Sequence, residues 1–211
     1  MGDGINFSLE EMNEMYKDVL REIGNIGAGN ATTALASLLG QKVDMSVPQV
    51  KLLEFDEIGE LVGGEETVLA GIYLGVEGDI GGNMMFLLSI PSAKYLVSKL
   101  MMGMESPGED FSEMERSALQ EVGNIITGSY LNALASLTNM CIYPTVPDLN
   151  IDMAAALLSV PAIQYGALGD KILLIQTQFS GDKAIDGYFI LIPDMDSYGK
   201  VLRALGILDS I

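Results

Sequence analysis

The stretch DVLREIGN at residues 18–25 returns as SALQEVGN at residues 117–124. A shift of 99 carries Glu22 to Glu121, Gly24 to Gly123, Asn25 to Asn124 and Ile26 to Ile125. The same shift carries ALASL at 34–38 onto ALASL at 133–137, and Pro48 onto Pro147. The chain is internally duplicated, and its fold is expected to show pseudo-two-fold symmetry.

Both copies read as helices, over 9–39 and 113–137. Ser8 is followed three residues later by Glu11, and Ser112 by Glu115, the spacing of a capping box. Asp18, Glu22 and Asn25, like Ser117, Glu121 and Asn124, stand at i, i+4 and i+7 and so share one helix face. Gly24, Gly27 and Gly29, with Gly123 and Gly128 in the second copy, interrupt these helices. Each costs roughly 1 kcal/mol relative to Ala, which points to close approach of another backbone, from a neighbouring helix or a partner. Gly40 suits the end of the first helix.

Outward from these helices the signals are strand-like. Residues 43–47 alternate, Pro48 bends the chain and 50–55 reads as a strand, followed by a polar, turn-rich 54–64. Residues 67–76 and 82–90 form a hairpin, 92–102 an amphipathic helix and 101–110 a linker. In the second half, strands are expected near 141–143, 171–179 and 187–192, and a last helix over 197–205. The symmetry is expected to break at DMAAALLSV, 152–160, which reads as a helix N-capped by Asp152. It is either an ordinary packed helix or a docking surface for a second partner. The fold class is α+β: one domain over 1–211 made of two repeats, about 8–102 and 111–208, with long motif helices packed on an antiparallel-rich sheet.

Composition narrows the chemistry. There is no histidine, so neither a histidine-based triad nor a zinc centre is expected. The GNIGAG run at 24–29 follows no strand and is not trailed by Lys-Ser/Thr, so it is not a phosphate loop. A net charge of −18 disfavours nucleic acid and anionic membrane and favours a locally basic protein partner. No apolar run reaches the ~18 residues of a membrane span and no secretory leader is expected, so the compartment is read as cytoplasm. The lone Cys141 is expected to be an inert core residue.

Each copy reads (Asp or Ser)-x3-Glu-x2-Asn-x22-Pro. With EIGNIGAGNA, this pattern resembles the CheC-type phosphatases of the CheC/CheX/FliY family over nearly the whole chain. The resemblance implies hydrolysis of the aspartyl phosphate on the chemotaxis regulator CheY, and a partnership with the receptor deamidase CheD. It places the chemistry on Glu22, Asn25, Glu121 and Asn124, with Asp18, Ser117, Pro48 and Pro147 in support; Asp152 is a weaker candidate for a partner contact, from the 152–160 segment and not from the resemblance. An acyl phosphate is already activated, so its hydrolysis needs a positioned water more than a strong base. The carboxamides of Asn25 and Asn124 suit that task. A glutamate repels a phosphoryl group, so Glu22 and Glu121 are expected to grip a cation on the partner. No metal or cofactor of the chain's own is expected, and the Mg²⁺ belongs to CheY. The other readings are a non-catalytic adaptor for CheD and a structural part of the flagellar switch.

Overall fold

A computed structural model of the chain describes residues 14–46, 49–102, 110–165, 171–180 and 184–205. The elements in order are α1 (Glu14–Leu39), β1 (Asp44–Met45), β2 (Gln49–Glu54), α2 (Phe55–Leu61), β3 (Val68–Gly78), β4 (Gly82–Ser89) and α3 (Ile90–Leu100) in the first half. The second half holds α4 (Glu113–Thr138), β5 (Ile142–Pro144), β6 (Asp148–Met153), α5 (Ala154–Tyr165), β7 (Lys171–Ser180), β8 (Ala184–Pro193) and α6 (Met195–Ala204). Ser8, Glu11 and most of the expected linker lie outside the described residues, as does Pro48.

The described strands form one eight-stranded sheet in the order β1–β7–β8–β4–β3–β5, with β2 also on β7 and β6 also on β3. Every pairing is antiparallel. Exchanging each strand for its counterpart in the other half reverses this order and leaves it unchanged, which is the expected pseudo-two-fold. Phe86 of β4 lies opposite Phe189 of β8 near the middle of the sheet. The halves are interleaved: β1 and β2 pair with β7 of the second half, while β5 and β6 pair with β3 of the first.

Alternation along the strands divides the core in two. Met84, Phe86 and Leu88 join a cluster with Ile23 and Leu35 of α1, Val122 and Tyr130 of α4 and Leu96 of α3. Met85 and Leu87 face the other way, towards Ile58, Val62, Leu157 and Leu158. The central strands are therefore buried on both faces, as the unbroken apolar run of β4 indicates. The motif helices lie over one face as expected, and α2 and α5 make a second layer on the other.

That second layer corrects two expectations. Residues 55–61 are helical, because Ile58 and, one turn on, Val62 enter the second cluster while Glu57 and Glu60 face solvent. The expected break of symmetry at 152–160 is also overturned. Residues Asp148–Met153 form a strand, so Asp152 is no helix cap, and α5 begins at Ala154. The shift of 99 carries β2 onto β6 and the first residue of α2 onto the first of α5. Cys141 is exposed rather than buried, since it sits in the turn between α4 and β5. Its thiol stands beside the Tyr143 hydroxyl and raises that group above its ordinary pKa, by charge and by hydrogen bonding.

The motif helices end alike. Gly40 and Asn139 both adopt positive φ, and the next N–H in each case (Gln41, Met140) donates to a carbonyl five residues back (Ala36, Ala135) at 3.3 Å. This is the Schellman turn. At its start α4 carries the expected capping box, with Ser112 accepting from the Glu115 N–H and Glu115 accepting from the Ser112 N–H. Such a cap stabilises by about 1 kcal/mol.

The helix glycines divide into two kinds. A Cβ on Gly27 would enter the Tyr130 ring and lie 3.0 Å from the Tyr130 Cα, so α1 and α4 meet there. A Cβ on Gly123 would fall 2.5 Å from Ile72 Cγ2 of β3. Internal packing, not a partner, accounts for both. Gly29 and Gly128 have open space around them. Gly27→Ala is therefore expected to destabilise by roughly 2 kcal/mol, while Gly29→Ala, two residues along the same helix, stabilises by up to about 1 kcal/mol. Thermal melts of the two variants check this: their midpoints move in opposite directions, by about 2–4 °C per kcal/mol.

Candidate functional site

The faces of α1 and α4 away from the sheet carry the two polar stripes. On α1 the core side holds Ile23, Ala28, Ala31 and Leu35, and on α4 Leu119, Val122, Ile126 and Tyr130. Period 3.6 then turns the residues between them outward. Glu22 and Glu121 are exposed, as is Ser117, while Asn25 and Asn124 are half-buried. Each carboxamide thus sits at the seam between solvent and packed helix, within reach of a docking surface. Asp18 belongs to α1, three residues before Arg21.

Pro147 is half-buried in the loop between β5 and β6. Gln120 of α4 donates from Nε2 to its carbonyl oxygen at 3.3 Å. One turn earlier the Arg116 guanidinium donates to the Leu149 carbonyl at 2.8 Å. The loop is so fastened to the helix that bears Glu121 and Asn124. Neither Gln120 nor Arg116 stands in the motif. The signal that finds Gln120 is a long N–H donor just before the glutamate in both copies, Arg21 in the first and Gln120 in the second.

Asp152 is exposed on β6, and its Oδ1 accepts from the Met153 N–H at 2.8 Å. The next residue, Met153, turns to the other face of the sheet, where its exposed side chain is directly opposed to that of Val68 of β3. Among the described residues no group of three or more His, Cys, Asp or Glu is placed to hold a metal ion. Among them, too, no helix is long and apolar enough to cross a membrane.

A duplicated sheet carrying two outward motif helices defines a known class of fold. Thermotoga maritima FliY shares it with a TM-score of 0.73 at 21% identity, over 93% of this chain and 98% of that one. A chain of the CheX–CheY–BeF3–Mg²⁺ complex of Borrelia burgdorferi shares it with a TM-score of 0.53 at 20% identity, over 80% and 96%. Within that class the sequence is specific. The model of the CheC-like family matches residues 15–52 and 114–151, one block per motif helix, each running on into the strand after the proline. The Bacillus subtilis (strain 168) protein named CheY-P phosphatase CheC is 39% identical over 198 residues, covering 92% of this chain and 95% of its own. The chain belongs to the CheC-like family.

Proposed function

We propose that this chain is a phosphatase that hydrolyses the aspartyl phosphate of the response regulator CheY in the cytoplasm, with one site on each motif helix. The observation that carries this is the exposed glutamate and half-buried asparagine on the outer face of both α1 and α4. The 39% identity to a CheY-P phosphatase over nearly the whole chain supports it.

In this mechanism CheY lies across a motif helix. Glu22 or Glu121 grips a cationic side chain beside the phosphorylated aspartate, fixing the docked orientation. The carboxamide of Asn25 or Asn124 accepts a hydrogen bond from a water and holds its oxygen in line with phosphorus. The water oxygen bonds to phosphorus, the bond from phosphorus to the acyl oxygen breaks, and the aspartate carboxylate leaves with the electron pair. Inorganic phosphate is released and the water's protons pass to phosphate and solvent. The Mg²⁺ that offsets charge on the phosphoryl group belongs to CheY. The open space at Gly29 and Gly128 leaves room for the regulator to approach the helix.

The deciding experiment is phosphate release from acyl-phosphorylated CheY with and without the chain. Acceleration supports the proposal, and an unchanged rate at saturating chain refutes it. Glu22→Ala combined with Glu121→Ala is expected to raise KM by about tenfold, since the grip acts on docking. A fall in kcat at unchanged KM would move the glutamates into the chemical step.

Binding of CheD is the second part of the proposal. The exposed carboxylate of Asp152 on β6 supports it, as an acid open to a partner. Asp152→Lys is expected to abolish CheD binding in a titration and to leave basal phosphate release unchanged. Unaltered CheD affinity would rule that surface out.

A further inference from the structure

The loop that carries Pro147 is held on two sides by hydrogen bonds. On the sheet side the Thr145 N–H donates to the Gly75 carbonyl at 2.9 Å, and the Gly75 N–H donates to Thr145 Oγ1 at 2.8 Å. On the helix side stand the Gln120 bond to Pro147 and the Arg116 bond to Leu149. The Val146 side chain at the centre of the loop is 88% exposed and adds little burial, while Pro147 is half-buried. Proline also has no N–H to offer, which leaves its carbonyl as the backbone group by which position 147 is anchored. Gln120 and Asn124 are separated by four residues, so their side chains share a helix face. The loop that Gln120 holds therefore runs along the α4 face that leads, one turn on, to Asn124.

We infer that Gln120 is a positioning residue of the second site: its hydrogen bond locks the Pro147 loop to α4 and so sets the wall against which Asn124 aligns its water. This rests on the proposed hydrolysis and adds to it a residue outside the motif. The side chain acts through Pro147 and touches neither phosphate nor water. Alignment affects the chemical step more than docking, because small displacements of a reacting water act on kcat. The docking grip of Glu121 is separate. Position 21, the counterpart in the first half, holds Arg, which also has the N–H groups to serve as such a donor.

The test is made in the full chain with the first site disabled by Asn25→Ala, so that phosphate release from phosphorylated CheY reports the second site alone. Gln120→Met keeps length and volume but removes the donor; Gln120→Arg restores one. The Met variant is expected to lower kcat by about three- to tenfold, the range for one lost hydrogen bond, with KM unchanged within about twofold. The Arg variant is expected to recover kcat, and the thermal midpoints of all three chains to agree within about 5 °C. An unchanged kcat in the Met variant overturns the inference while the proposed function stands. So does a raised KM at constant kcat, which would make Gln120 a direct contact to CheY. Phosphate release in the Asn25→Ala chain that does not depend on Asn124 removes both the inference and the mechanism beneath it.

Discussion

Replacing Asn25 and Asn124 together by Ala is expected to lower accelerated phosphate release by on the order of 100-fold or more, towards the rate of phosphorylated CheY alone. Each single replacement leaves one site working and so a partial rate. The size follows from the chemistry. An acyl phosphate has a good leaving group, so most of what a helix can add is alignment of water, and misplacement by about 1 Å costs about 10²-fold. The fold is expected to survive. Both asparagines are half-buried, and neither side chain has a hydrogen-bond partner among the described residues, so truncation leaves no buried partner stranded. Melts of the double variant should match the parent within a few degrees, which separates lost chemistry from lost structure. Release at the parental rate would end the water-positioning role. If the two single variants differ, Ser117 against Asp18 is the first difference to exchange, since it is where the motif itself departs between copies.

The motif helices were legible because two independent signals coincide in them, a 3.6-residue pattern and a repeat at a fixed distance. The hairpin of β3 and β4 is legible from its apolar runs, although β3 runs on through Glu77 and Gly78 and the chain turns at 79–81. Strand β6 was not. Its sequence DLNIDM has the period of a strand, with Leu149 turned inward, but Asp and Asn are poor strand formers and hide the alternation. Pairing with β3 supplies what local preference lacks. Helix α2 was obscured in the same way, because seven residues containing Gly59 have little tendency of their own and become helical by burying Ile58. The repeat itself contains the answer, because the shift of 99 places β2 on β6. Within the site, the types and spacing of Glu22, Asn25 and their counterparts could be read directly. The hydrogen bond from Gln120 to Pro147 spans 27 residues of chain and belongs to the tertiary structure.

Cutting the chain within 103–109 is expected to yield two halves that do not fold alone and that recover one folded complex when mixed. The cut spares every described ladder, yet separation removes the pairings of β2 with β7, β6 with β3 and β4 with β8. The first half would expose both edges of its β3–β4 hairpin and leave β1 and β2 without a sheet to join. Such open edges and uncovered apolar faces favour aggregation over a native monomer. Far-UV circular dichroism and thermal melts of each half and of the equimolar mixture test this. A cooperative transition in residues 1–102 alone, near that of the whole chain, would show that the exchanged strands are not needed. The exchange also bears on the two sites. The loop behind the second site runs between β5 and β6, which rest on β3 of the first half. The strands on either side of Pro48 rest on β7 of the second half. Each motif helix is thus backed by sheet from the opposite repeat, so phosphate release should appear only in the mixture. A one-site form of this protein has to be made by changing an asparagine, because removing a repeat takes away the support of both sites.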